Sequence, residues 1–212
     1  MLKGENLGYR YGSKQRWILR NYSLTLSPGQ RLGLYGPSGY GKTTLAKLLA
    51  GYLTPMEGLI TIDGTPLPTQ GYSPIQLIFQ NPELAVNPRW RIHQILSEAG
   101  TPDPVRSGGD LSQHLQLLSI DPRWLNRWPH ELSGGELQRI AVARALGSPT
   151  RYLICDEMTA MLDANTQALI WQAVLTVTRQ RHLGLLVISH NYDLLERVCD
   201  QILDLTVSVN YG

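Results

Sequence analysis

The 212-residue sequence is poor in cysteine, phenylalanine and charge: it has two cysteines, one phenylalanine and only 17% charged residues. Cys155 and Cys199 stand 44 positions apart with no second pair, which argues against a disulfide framework or a cysteine-based zinc site. No run approaches the ~18 apolar residues of a spanning helix. Met1 to Glu5 carries no apolar run of the kind that opens a signal peptide. These absences lead us to expect a soluble, cytoplasmic chain. The formal charge of +2 is too small to point to nucleic acid, and no nucleic-acid partner is expected. Repeats and low-complexity tracts are missing as well. What is present is 42% hydrophobic residues, enough for a core and too many for a disordered chain. The length suits one large domain, or one domain with an insert.

The first third is strand-rich. Ser23-Leu24-Thr25-Leu26 alternates like a half-buried strand and stops at Ser27-Pro28-Gly29. Arg31 to Tyr35 reads as a strand entering a glycine-rich loop, and Thr43 to Tyr52 as the helix that follows. Leu59 to Ile62, closed by Asp63-Gly64, reads as a hairpin arm. Between about Pro82 and Pro129 the strand pattern disappears. Short helical pieces (Arg91 to Ala99, Leu111 to Leu118) are separated there by the Pro/Gly-rich stretch Thr101 to Asp110. After Ser133 helices and strands alternate: helix to about Leu146, strand Tyr152 to Cys155, helix Asn165 to Arg181, strand Leu183 to Ser189, helix Asn191 to Val198, strand Gln201 to Leu205. Such alternation predicts an α/β fold with a parallel sheet and crossover helices. The expected division is a core of residues 1–80 and 133–212 interrupted by a helical subdomain at 81–132.

Gly36-Pro37-Ser38-Gly39-Tyr40-Gly41-Lys42-Thr43 matches G-x-x-x-x-G-K-[ST], and it lies between an apolar strand and a helix, as that motif requires. Its backbone N–H groups can form an anion nest at a helix N-terminus. Lys42 offers a cation to the β- and γ-phosphates, and Thr43 a hydroxyl to Mg²⁺. Downstream, the apolar Leu153-Ile154-Cys155 runs into Asp156-Glu157. Both carboxylates then stand at a strand's C-terminal edge, where open α/β sheets bind ligands. Asp156 is placed to reach the Mg²⁺, and Glu157 to polarise a water attacking the γ-phosphate. Between these motifs, Ser133-x-x-Glu136 is a capping box. A capping box has no need of Gly134-Gly135, each of which costs about 1 kcal/mol of helix stability. Two glycines in a first turn instead expose N–H donors to an incoming anion.

The sequence Leu132-Ser133-Gly134-Gly135-Glu136-Leu137-Gln138-Arg139, joined to the phosphate loop and the acid-acid strand, resembles the signature of ATP-binding cassette (ABC) ATPases. The resemblance runs from Leu2 to about Leu205. It implies a P-loop NTPase core with a parallel sheet, an N-terminal antiparallel β subdomain and a helical insert. It also implies Mg²⁺-ATP bound by Gly36 to Thr43 and by Thr44. Two subunits, identical or paralogous, would pack head to tail, and Ser133, Gly134 and Gly135 of one would contact the nucleotide of the other. Gln80 matches the glutamine that approaches Mg²⁺ and the attacking water. His190 matches the histidine on the γ-phosphate, and Asp163 lies in the loop that reaches across the dimer. Tyr11 matches the aromatic that stacks on adenine, with Tyr9 and Trp17 close enough to substitute.

Gln80-Asn81-Pro82 followed by Ala85-Val86-Asn87-Pro88-Arg89 resembles the nickel and peptide importer branch. Where most relatives carry Ser-Ala-Leu-Asp, this chain has Ala160-Met161-Leu162-Asp163, so no serine is available there for an intersubunit hydrogen bond. The expected function is that of an energy-coupling subunit on the cytoplasmic face of the membrane, driving permease subunits and, through them, serving a solute-binding protein. The alternative is a non-transport ABC ATPase of DNA repair or translation. Its usual tandem cassettes, coiled coils, zinc modules and basic tails are not seen in this sequence. Trp90, Ile92 and Ile95 are candidates for docking a permease. Packing of the insert's own small core is the competing reading for these three.

Overall fold

The computed structural model describes residues 1–12, 15–99 and 110–205. Nearly all of the stretch expected to separate two helices, Thr101 to Asp110, lies outside the described residues. Two sheets make the framework. The first is antiparallel, in the order β2-β1-β4-β5, with β1 at Leu2–Tyr9, β2 at Leu19–Leu26, β4 at Glu57–Ile62 and β5 at Thr65–Pro66. The second is parallel, in the order β6-β7-β8-β3-β9, with β3 at Arg31–Tyr35, β6 at Ile75–Ile78, β7 at Tyr152–Asp156, β8 at Gly184–Ser189 and β9 at Gln201–Asp204. The helices are α1 (Lys42–Leu49), α2 (Ile92–Ser97), α3 (Asp110–Leu117), α4 (Gly134–Ala145), α5 (Ala164–Arg181) and α6 (Tyr192–Val198). The fold is the α/β class expected, with a parallel sheet, an antiparallel sheet and short helices between β6 and β7.

Every residue of β7 and β8 is buried, which explains their nearly unbroken apolar sequences: a parallel strand in mid-sheet is covered on both faces. Each fully buried leucine or isoleucine there contributes about 1.5–3 kcal/mol. Strand β1 passes close to α1: a Cβ on Gly4 would sit 2.7 Å from Leu7 Cδ1 of its own strand and 3.3 Å from Leu49 Cδ2 of the helix, so the glycine leaves room for both leucines. Strand β2 begins at Leu19, before its alternating half; within it Asn21 adopts φ 50°, and Asn6 of β1 adopts φ 52°. These left-handed residues coincide with register shifts between Gly4 and Leu7 and between Leu7 and Tyr9. The bulges break the period of two on which a sequence-based assignment depends.

Helix α1 ends earlier than its apolar pattern suggests. Gly51 turns left-handed (φ 80°), and the Tyr52 N–H donates to the Lys47 carbonyl at 2.8 Å, closing the C-terminus. The docking expectation for Ile92 and Ile95 is overturned. Both are 0% exposed in α2, so they belong to the core and cannot be offered to a partner. Trp90, before the helix, remains 36% exposed. Spacing along a short helix shows which residues share a face, but not which way that face points.

Candidate active site

In a parallel sheet all strands end on one edge, and here the register makes those ends nearly level. Tyr35 pairs with Ser189, Asp156 with Ile188, and Ile78 with Cys155. The segments that leave β3, β6, β7 and β8 therefore converge. A cavity of about 330 Å³ opens at that edge, and its lining includes Ser38, Lys42, Thr43, Gln80, Asp156 and Glu157. Gly39, Gly41 and Thr44 line it too.

The phosphate loop is held open by its glycines. Gly39 and Gly41 have φ 88° and 80°, and a Cβ on Gly41 would meet Ile18 Cγ2 at 2.9 Å. Gly41 is also the N-cap of α1, whose first turn holds no acidic side chain, so the partial positive charge of that terminus is not neutralised locally. Lys42 folds back over the loop and donates to the carbonyls of Gly36 (2.6 Å) and Pro37 (2.8 Å). Its burial lowers the ammonium pKa, an effect opposed by the nearby Glu157 and Asp156 carboxylates. Tyr40 is half-buried against the core.

Asp156 is buried at the end of β7. Desolvation raises its pKa, opposed by a hydrogen bond from Thr43, while the charge of Glu157 raises it further. In the free chain this carboxylate therefore costs stability at neutral pH. Because its folded pKa is raised, the cost disappears as the pH falls through that value and towards the ordinary 3.8. We expect Asp156→Asn to raise the melting temperature of the nucleotide-free protein by a few degrees at pH 7 while removing ATP turnover, with the thermal gain vanishing below pH 4. Calorimetry at the two pH values checks this.

Glu157 follows in a left-handed conformation (φ 49°), with its N–H bonded to the Ile188 carbonyl at 3.1 Å. A non-glycine residue in that region is strained, and such strain tends to gather at functional sites. His190 Nδ1 lies 3.1 Å from Glu157 Oε1, so the histidine leaving β8 meets the glutamate leaving β7. This pairing was not read from the sequence, where the two residues belong to separate motifs 33 positions apart.

The other candidate residues lie outside the phosphate cavity. Tyr11 is 55% exposed, packs edge-on against Tyr9, and brings its hydroxyl to 3.4 Å from Thr44 Oγ1. Trp17 is covered by the guanidiniums of Arg10 and Arg20, at 4.8 and 5.9 Å from its ring. Ser133 caps α4. Its Oγ accepts from the Glu136 N–H (3.3 Å) and its own N–H donates to Glu136 Oε2 (2.7 Å). That bond holds the Glu136 carboxyl below its usual range. Gly134 and Gly135 line a different cavity, of about 620 Å³, bounded also by Gln80 to Glu83 and by Met158. The Asp163 carboxylate is engaged by its own helix, accepting from Asn165 N, Thr166 N and Thr166 Oγ1 at 3.0, 3.0 and 2.6 Å. Beside it Met161 is 79% exposed.

Residues 19–160 match the family model for the ABC transporter. A curated relative from Staphylococcus aureus (strain bovine RF122 / ET3-1), the nickel import system ATP-binding protein NikE, is 36% identical over 210 residues, covering 95% of this chain and 84% of the relative. The chain belongs to the ABC transporter family. Within that family it is an ATP-binding, ATP-hydrolysing subunit. Among solved structures, the dimeric bacterial ABC transporter cassette MJ0796 superposes with a TM-score of 0.79 at 24% identity, covering 96% of this chain and 94% of that one. The same cassette in a post-hydrolysis state bound to ADP and phosphate gives the same score. These two likenesses carry the fold. No helix among the described residues is long and apolar enough to cross a membrane.

Proposed function

We propose that two copies of this chain pack head to tail on ATP, so that each nucleotide is held by the phosphate loop of one copy and the α4 N-terminus of the other. The observation that carries this reading is Gly134. A Cβ added there would meet nothing within 4 Å, and the residue has no left-handed backbone, so nothing described in its own chain requires glycine. An object approaching from outside would. The first turn of α4 has free space in front of it and presents backbone donors, which suits a phosphate.

In this reading the loop N–H groups and Lys42 hold the β- and γ-phosphates, and Tyr11 lies on the side of the loop where adenine would stack. The donors present fit Mg²⁺: the Thr43 hydroxyl and the Asp156 carboxylate, both hard oxygens, line the same cavity. When bound, the cation screens charge on the phosphates. Glu157 accepts a proton from the attacking water. His190 fixes the Glu157 carboxylate through Nδ1 and stands beside the γ-phosphate, and Gln80 reaches the water from the end of β6. Asp163 acts across the dimer by holding its loop in shape.

The chain would sit peripherally on the cytoplasmic face of a membrane, with residues 81–132 as the subdomain that meets permease subunits. Among the described residues, the exposed Leu84 and Trp90 are large apolar side chains available for that contact. The nickel import relative and the Gln80-to-Arg89 run support import of a nickel complex or a peptide delivered by a solute-binding protein.

Complementation tests the arrangement. Gly134→Arg should fold and bind ATP as the wild type does, yet fail to hydrolyse it. Lys42→Ala should fail for the opposite reason. Mixed, the two inactive proteins would form dimers with one intact site, and ATPase activity should return. A mixture as inactive as its components would overturn the head-to-tail reading.

A further inference from the structure

We infer that Gln138 is a positioning residue that couples the two ATP sites, by tying the Gln80 segment of one site to the α4 helix that serves the other. The inference rests on the head-to-tail reading above.

Gln138 lies in the second turn of α4, with its side chain essentially buried at 1% exposure. Its Nε2–H donates to the Phe79 carbonyl at 3.2 Å, 59 residues away. Phe79 immediately precedes Gln80, and Gln80 lines both the phosphate cavity and the cavity of Gly134 and Gly135. One hydrogen bond thus joins the segment that faces this chain's own nucleotide to the helix whose start faces the partner's. The bond is buried, so water cannot readily replace it, and breaking it leaves a carbonyl unsatisfied.

The other end of the same amide adds a second observation. Gln138 Oε1 is buried and has no hydrogen-bond partner among the described residues, although the residue lines the larger cavity. Buried amides are nearly always satisfied at both ends, so a half-satisfied one calls for a reason. A tether that completes its bonding when α4 and the Gln80 segment shift together supplies it. ATP that draws Gln80 inward then carries α4 with it and pre-orients Ser133 to Gly135 for the second nucleotide. Coupling free energy between sites commonly changes affinity by roughly 5–150-fold.

Gln138→Met keeps the length and volume while removing both polar ends. In the Glu157→Gln background, where closed dimers should accumulate with Mg²⁺-ATP, sedimentation at graded protein concentrations measures closure. We expect Gln138→Met to raise the concentration needed for half-dimerisation by ~10-fold, the size of one buried hydrogen bond. Calorimetry should show ATP binding to the single subunit unchanged. Gln138→His places an N–H at about the reach of the glutamine amide and should recover most of the closure. Gln138→Leu serves if the methionine variant fails to fold. Equal dimerisation with and without the Gln138 change would overturn the coupling role. So would weakened ATP binding by the single subunit, or a drop in melting temperature with no rescue by histidine, since both mark mere packing. If Glu157→Gln alone stayed monomeric with ATP, the head-to-tail reading and this inference would fall together.

Discussion

Lys42→Ala should abolish ATP hydrolysis and weaken ATP binding by at least ~100-fold, the scale expected when a buried charge-assisted contact is lost. The reason lies in where this ammonium stands. It is nearly buried and its pKa is lowered by desolvation, yet the Asp156 and Glu157 carboxylates nearby favour its charged form. Among the described residues no other lysine lines the phosphate cavity, so no described side chain of the loop can take over its charge. The free protein holds that ammonium on the Gly36 and Pro37 carbonyls, and in the proposed site a phosphate would compete for it. Folding should survive the substitution, since the loop's shape is set by Gly39 and Gly41. Turnover and a nucleotide-binding isotherm together test this. Undiminished ATPase activity would remove the phosphate loop from the mechanism.

The second large effect is expected at Glu157. Glu157→Gln retains size and a hydrogen-bonding end for His190 but cannot accept a proton at neutral pH. ATP should bind normally while turnover falls by ~10²-fold or more. In the proposed head-to-tail dimer hydrolysis is the step that would reopen the pair, so the variant should collect as a closed dimer with Mg²⁺-ATP, visible as an earlier elution volume on size exclusion. The two substitutions differ in what they leave intact. Lys42→Ala loses binding and closure, whereas Glu157→Gln keeps both and loses chemistry. Turnover near the wild-type rate in Glu157→Gln would assign the water to another group.

The two motifs that converge most closely were also the most legible. Gly36 to Thr43 and Leu153 to Glu157 are local patterns: each needs only a strand, a turn and the residues at its end. The long helix α5 and the fully buried β7 and β8 followed from unbroken periodicity in the same way. What escaped sequence reasoning depends on long-range geometry. The bulges at Asn6 and Asn21 hid the full lengths of β1 and β2, because each shifts the alternation by one residue. Ile92 and Ile95 carry a helical spacing that fits an outward face as well as an inward one, and only the packed structure shows them buried. The Gln138–Phe79 bond and the His190–Glu157 pair join residues 59 and 33 positions apart, for which no local pattern exists. Asp163 carried a second meaning: the residue expected to reach outward is also the N-cap of α5.

The left-handed backbone at Glu157 has a consequence for anyone who would engineer this chain. Glycine or asparagine is more comfortable at φ 49° than glutamate, so a search guided by folding alone would favour replacing this residue. The same search would favour an uncharged side chain at Asp156. Selection for heat resistance and selection for turnover therefore pull in opposite directions at two adjacent positions. A thermostabilised library of this protein would have to hold both residues fixed to remain a library of working ATPases.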